Sequence, residues 1–282
     1  MHSNRRHEVG NAAKGGGPKI SVITPSFNQA EFLERTICSV LDQGYPDLEY
    51  IVIDGGSTDG SVDIIRKYAD CLAYWVSEPD RGQVDAINKG LQRATGEWLC
   101  WQNSDDIFFP GAFDELAKTA STHPKANLII GDMMLIDKTD RPLRDLRYVT
   151  PSHAALLAEG MLLANQAAFW RRDLQERVGL LDESYHCSFD YDWFLRLTRE
   201  CRGLHVDRFW GGLRLHGATK ASNQAEVFLQ ENRRILKGRE IPGWKRRAYM
   251  LRRLGLMLRN GNWGYILRGM VRRARPANGA HY

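Results

Sequence analysis

Long apolar runs are missing from this chain of 282 residues. No stretch approaches the ~18–20 apolar residues needed to cross a bilayer. The opening stretch, MHSNRRHEVGNAAKGGG, holds no apolar signal core. It reads as a flexible polar leader over 1–17, and nothing in it directs the chain to secretion, so a cytoplasmic protein is expected. Cysteine is sparse as well. The five cysteines (Cys38, Cys71, Cys100, Cys187 and Cys201) are odd in number, widely spaced and without a CxxC pair, so a zinc site is not expected. Cys38, Cys71 and Cys100 sit in apolar segments and read as buried, reduced thiols. Phosphate-binding glycine loops are also lacking. No G-x-G-x-x-G follows the first strand and no G-x-x-x-x-G-K-[ST] occurs, which argues against dinucleotide and P-loop proteins. There is no internal repeat and no low-complexity tract.

With 43% hydrophobic and 26% charged residues, the chain has the balance of a soluble globular protein able to fill a core as one domain or two. Its net charge of +5 hides an asymmetry. From Arg233 onward there are 14 Lys and Arg against one acid, Glu240, while 1–232 carries 25 basic and 33 acidic residues. An acidic body and a basic tail are two different surfaces, which suggests two different partners.

The first half alternates between the two hydrophobic periods. Lys19–Thr24 is a β-branched run expected to stop at Pro25, which cannot donate to a ladder. Ala30–Leu41 has helical spacing and is ended by Gly44 and Pro46. Strands are expected at Tyr50–Asp54, Ala73–Ser77 and Trp98–Trp101, and helices at Ser61–Tyr68, Gln83–Arg93 and Gly111–Ala120. This rhythm predicts an α/β fold, a mostly parallel sheet with helices on both faces. In such sheets ligands bind beyond the carboxyl ends of the strands. Three polar clusters fall at those ends: Pro25–Asn28, Asp54–Asp59 and Asn103–Asp106. Their shared placement points to one site. The second half is less regular, with a strand expected at Leu128–Met134, a helix at Ala154–Leu163, extended chain at Asn165–Trp170 and a helix at Asp190–Arg199.

The clusters carry distinct chemistry. Asp54 at a strand end can accept hydrogen bonds from a base or from ribose hydroxyls, and the glycines after it let a ligand approach the backbone. As a bland alternative, this is a Gly-rich turn capping the next helix. Asp105-Asp106 is more pointed. Two adjacent carboxylates repel unless a cation sits beside them, and hard oxygen ligands suit Mg²⁺ or Mn²⁺ completed by substrate phosphates. The alternative there is a solvated turn with Asp106 as a helix cap.

The stretches SVITPSFNQAEFLERTICSVLDQGYPDLEYIVIDGGSTDGSVDII and SEPDRGQVDAINKGLQRATGEWLCWQNSDD resemble the N-terminal half of the family 2 glycosyltransferases. The likeness continues through NQAAFWRR, VGLLDESYHCSFDYDWFLRL and LRLHGATKAS, covering roughly 18–223. The DGGS and NSDD forms suggest a branch acting on bacterial cell-surface polysaccharide. The resemblance implies a Rossmann-like GT-A domain at 18–225 followed by a basic amphipathic helical tail at 226–282. It also implies a nucleotide-sugar donor, with Pro25, Ser26, Phe27, Asp54, Gly55, Asp85, Ser104 and His216 around it, and a divalent metal, Mn²⁺ or Mg²⁺, on Asp105 and Asp106. Asp190 matches the general base for an inverting transfer to a hydroxyl. Asp192, two residues on, would orient Asp190 or cap the helix, and Gln166 either borders the substrates or belongs to a packed loop. The sequence departs from the family pattern at Asn103 and Gly55, where many relatives carry Asp, at Ile87, where many carry Arg, and at Ser188-Phe189, which replaces the Glu before the base.

Along the tail, Met250, Leu251, Leu254, Met257 and Leu258 gather on one helical face, with Arg252, Arg253 and Arg259 mostly opposite. Such a helix fits an anionic membrane surface, placing the protein at the inner face of the cell membrane beside a lipid-linked or saccharide acceptor. The alternative is a helix packed on the domain or on a dimer partner. No nucleic acid partner is expected. Two other functions compete with sugar transfer. A sugar-nucleotide pyrophosphorylase or nucleotidyltransferase should carry a Gly-rich, basic loop where this chain has Pro25-Ser26-Phe27-Asn28. A non-enzymatic membrane-binding module needs no carboxylates clustered at strand ends.

Overall fold

The computed structural model describes residues 16–217 and 224–274. Among these residues nine strands form one sheet. The first half follows the expected rhythm: β1 (Ile20–Ser26), α1 (Ala30–Leu41), β2 (Leu48–Asp54), α2 (Ser61–Lys67), β3 (Tyr74–Ser77), α3 (Gln83–Arg93) and β4 (Trp98–Trp101). There follow β5 (Ile107–Phe108), α4 (Ala112–Thr122), β6 (Leu128–Ile136), β7 (Pro142–Leu146), α5 (His153–Glu159), β8 (Ala168–Arg171), α6 (Arg172–Val178), α7 (Phe189–Glu200) and β9 (Leu204–Arg214). Three helices end the described chain: α8 (Ala225–Leu236), α9 (Gly243–Arg259) and α10 (Trp263–Ala274).

The strand order is β3-β2-β1-β4-β8-β6-β9-β5, with β7 added to β6. The β3-β2-β1-β4 half is parallel. Beyond β4 the expectation of a mostly parallel sheet needs correcting. β8 runs antiparallel to both β4 and β6, β7 is antiparallel to β6 and β5 to β9, and only β6–β9 is parallel. Only β6–β7 is a hairpin; the other antiparallel pairs join strands brought together across long helical connections, which permit either direction. In the hairpin, β7 follows β6 through a tight turn at Asp137–Asp140.

β1 does not stop at Pro25. It runs to Ser26, in register with Asp54 of β2. On its other side β4 pairs only as far as Trp101, opposite Ile23. Pro25 therefore sits past the end of the neighbouring strand, where the missing N–H leaves no ladder gap. α3 lies close on β1. A Cβ at Gly90 would stand 2.3 Å from Cγ2 of Ile23, so only glycine admits this packing. Trp101, Trp170, Trp193 and Phe194 meet edge-on in the centre of the core. The apolar face read for the helix at 190–199 is borne out, with Trp193, Phe194 and Leu197 all buried. Of the thiols expected to be buried, Cys100 is, Cys38 is half-buried and Cys71 is exposed in the turn before β3.

Glu49 fastens the base of this half. Burial would raise its pKa, but hydrogen bonds from Lys19, Ser21 and Thr95 lower it from 4.5 to about 2. A depressed carboxylate contributes stability that is complete above the unfolded value and is lost as pH falls through the folded one. Glu49→Gln is expected to lower the denaturation midpoint at neutral pH. The gap to wild type should close as pH falls from 4.5 to about 2, as read by urea titration at each pH.

Candidate active site

The order β3-β2-β1-β4 places a topological switch point between β1 and β4, where connections leave in opposite directions. A cavity opens there. It is walled by Pro25, Ser26 and Phe27 at the end of β1, by Gly55 after β2, by Asn103–Asp106 after β4 and by Arg214 at the end of β9. The three strand-end clusters thus converge.

Asp54 is fully buried and shapes the turn. Its carboxylate accepts from the N–H groups of Gly56 and Ser57 and from the hydroxyls of Ser57 and Ser77, at 2.6–3.1 Å. The same turn is latched to the β1–α1 loop. Asn28, in the left-handed region at φ 51, accepts from Thr58 N–H, and Asp59 accepts from Ala30 N–H. Gly55 leaves room for a residue that sequence reasoning passed over. A Cβ there would lie 2.6 Å from Oδ2 of Asp80, whose carboxylate also lines the cavity. Burial raises the pKa of Asp80, against the hydrogen bond from Gly82 N–H. Asp85 does not line the cavity. It is paired with Arg81 and Lys89 along its own helix face.

The two adjacent aspartates face different surroundings. Asp106 is buried, with Oδ1 accepting from Arg214 N–H at 2.8 Å and Oδ2 accepting from Gln166 at 2.7 Å and Asn103 at 3.1 Å. Burial pushes its pKa well above the carboxylate range, the neighbouring Asp105 charge adds to this, and those three hydrogen bonds oppose it. Asp105 keeps its carboxylate partly exposed, with Oδ2 2.9 Å from Nε2 of His216. His216 packs on the ring of Phe32 at 4.7 Å. Thr36 of α1 holds the turn from beneath, its hydroxyl 2.9 Å from the Ser104 carbonyl and 2.7 Å from that of Asp106. Ser104 itself is buried in the cavity wall.

Arg214 was not foreseen. Its side chain is wholly buried, Nε donates to the Asp105 carbonyl at 2.6 Å and Nη1 to the Asp137 carbonyl at 3.1 Å, and Asp140 pairs with it. Among the described residues its Nη2 and the hydroxyl of Ser26 find no hydrogen-bond partner, although both residues line the cavity. Buried polar atoms left over in this way are usually satisfied by a bound polar group. The LRLHG stretch alone does not mark it, because no strand is expected there and an arginine is ordinarily exposed.

Asp190 stands half-buried in the first turn of α7, its Oδ1 accepting from Tyr191 N–H at 2.7 Å. It does not line the cavity, but His186, four residues earlier, does. Asp192 is held by Arg196 at 2.8 Å, and that guanidinium also donates to the Val178 and Leu180 carbonyls. The loop before α7 is clamped from α8: the Glu231 carboxylate accepts from three consecutive N–H groups, those of His186, Cys187 and Ser188, at 2.6–2.9 Å.

Among the described residues no group of three or more His, Cys, Asp or Glu is placed to hold a metal. Asp106, expected to share the metal with Asp105, is buried with both carboxylate oxygens engaged by Arg214 N–H, Gln166 and Asn103, so the donor set nearest to one is Asp105 with His216. Two protein ligands suit Mg²⁺ or Mn²⁺ where substrate phosphates and water complete the shell.

A mixed α/β sheet with an acidic, arginine-walled cavity at its switch point defines a Rossmann-like GT-A domain of the glycosyltransferase class. The profile of glycosyl transferase family 2 matches residues 21–170, and the chain belongs to that family. It is therefore a glycosyltransferase. It is 33% identical over 192 residues to an "uncharacterized glycosyltransferase" of Mycobacterium tuberculosis, covering 67% of this chain and 72% of the relative. It is 30% identical over 185 residues to a "PGL/p-HBAD biosynthesis glycosyltransferase" of Mycobacterium bovis, covering 64% of this chain and 69% of that one. Among solved structures, S. aureus TarS 1–349 in complex with UDP-GlcNAc superposes with a TM-score of 0.63 at 16% identity, over 85% of this chain and 72% of that one. In the longer TarS chain the match spans only 43%. The mannosyltransferase PcManGT of Pyrobaculum calidifontis, in complex with GDP-Man and Mn²⁺, superposes at 0.55 and 22% identity, over 77% of this chain and 65% of that one. At such identities the structural likeness speaks to fold.

Proposed function

We propose that this glycosyltransferase moves a sugar, with inversion, from a nucleoside-diphosphate sugar to a hydroxyl of a lipid-linked or saccharide acceptor. The setting would be assembly of a surface polysaccharide or glycolipid at the inner face of the cell membrane. One observation carries the reading: Asp105, Arg214 and the end of β1 share a single cavity at the switch point. In that cavity Phe27, 59% exposed, offers an aromatic face to the base, and the glycine turn held by Asp54 lets the nucleotide approach. The diphosphate meets the Ser26 hydroxyl and the Arg214 guanidinium, which balance charge on the leaving group. Asp105 and His216 would hold a divalent ion, which would supply Lewis-acid stabilisation of that diphosphate. Asp190 takes the proton of the acceptor hydroxyl on the opposite side of the sugar.

The test is a panel of nucleotide-sugars, scored for binding and for slow hydrolysis with Mn²⁺, with Mg²⁺ and with chelator. Metal-dependent binding of at least one nucleotide-sugar is expected. Failure of every one to bind in the presence of metal would overturn the reading.

The Glu231 clamp gives a sharper check. It is a positioning residue, since it touches only the loop that carries the base. Glu231→Ala removes the acceptor of three backbone N–H groups and is expected to lower kcat about 10- to 100-fold through misplacement of Asp190. KM for the donor should hardly change. Glu231→Gln, which restores one acceptor oxygen, should recover part of the loss, and the folded fraction read by circular dichroism should stay at the wild-type value, since a mere fall in folded protein would also lower kcat with KM unchanged.

A further inference from the structure

The C-terminal helices face the wrong way for a buried pair. α9 packs its inner face on α5: Tyr249 and Leu256 line a shared crevice with Leu156, Met257 is buried, and Arg253 pairs with Glu159 at 2.8 Å. α10 is tied down by Arg268 on Asp145. Yet Trp244, Leu251 and Leu254 of α9 and Trp263, Leu267 and Met270 of α10 stand in solvent, each at least 39% exposed. On α10 the spacing of 263, 267 and 270 makes one continuous stripe, opposite half-buried Tyr265 and flanked on one side by half-buried Ile266. An exposed apolar face of this extent marks an interaction surface.

Charge decides the partner. The apolar stripes lie among Lys245, Arg247, Arg252 and Arg259, and the crevice between α5 and α9 gathers Arg202, Arg252 and Arg259 at its walls. From Arg233 onward only Glu240 opposes 14 basic residues. A second copy docked two-fold on this face would set that positive charge against itself. No helix among the described residues is long and apolar enough to cross a membrane, so the pair would lie along a surface. We propose that α9 and α10 form an in-plane docking face for an anionic phospholipid bilayer. Trp244 and Trp263 enter at headgroup level, Leu251, Leu267 and Met270 reach the acyl boundary, and the arginines engage lipid phosphates. This proposal needs no particular donor or acceptor.

The test is co-sedimentation of the full chain, without nucleotide-sugar, with phosphatidylcholine vesicles and with vesicles carrying about 30% phosphatidylglycerol. Binding at least about tenfold tighter to the anionic vesicles, weakening with salt, is expected. The double variant Leu267→Glu, Met270→Glu should lose that binding while its circular dichroism and thermal midpoint stay at wild-type values. Two results would overturn the proposal. One is no preference for anionic vesicles. The other is a wild-type dimer in light scattering that the double variant converts to monomer, which would assign the face to a second copy. Vesicle binding is read without catalysis, so its failure is distinguishable from failure of the donor reading.

Discussion

Asp105→Ala is expected to lower kcat/KM at least about 10³-fold, roughly 4 kcal/mol of transition-state stabilisation, and to remove the metal dependence of donor binding. The fold should survive, because the Asp105 carboxylate is partly exposed and meets His216 rather than the core. Its neighbour gives the contrast. Asp106→Ala would orphan Arg214 N–H, Gln166 and Asn103 in a buried setting, costing about 3 kcal/mol of stability. Two aspartates adjacent in sequence should therefore fail in different assays, the first in metal-dependent nucleotide titration and the second in chemical denaturation. Equal loss of stability in both variants would refute this division of labour.

The second large effect falls on Asp190. Asp190→Asn keeps the shape of the first turn of α7 and its contact with Tyr191 N–H, but removes the proposed proton acceptor. A fall in kcat of about 10²- to 10⁴-fold is expected, with donor affinity preserved. Asp192→Asn is the control. It disturbs the Arg196 pair and the loop at Val178 and Leu180, so its effect should appear in thermal stability ahead of kcat.

The first half of the fold was legible because its local signals agree with its tertiary role. Ala30–Leu41, Gln83–Arg93 and Trp98–Trp101 occur with the bounds that periodicity suggests. β9 was missed for a definite reason. Gly211-Gly212 interrupts the β-branched, alternating pattern that marks a strand, whereas in the sheet both glycines admit a close approach. A Cβ at Gly211 would stand 2.7 Å from the Ile107 carbonyl, and one at Gly212 would lie 2.7 Å from Ile136. β7 and β5 are short strands whose pairing is decided by partners far away in sequence. The site was legible where strand ends carry clustered polar residues. It was not legible at Arg214, Asp80 and Glu231, which act through space on residues from other elements. At Gly55, where the sequence departs from the family pattern, the space a side chain would fill holds the Asp80 carboxylate.

β8 has a consequence for anyone dividing this protein. The stretch 21–170 that the family profile recognises ends inside Ala168–Arg171, a strand bonded on one side to β4 and on the other to β6. A gene fragment stopped there would leave the Leu128–Ile136 strand without β9 and present a long, open hydrophobic edge ready to pair with another chain. It would also lack Arg214, His216 and the helix bearing Asp190. The recognisable segment is thus a label and not a module. Only a product that reaches beyond Glu231 brings together both the sheet and the groups that line its crevice.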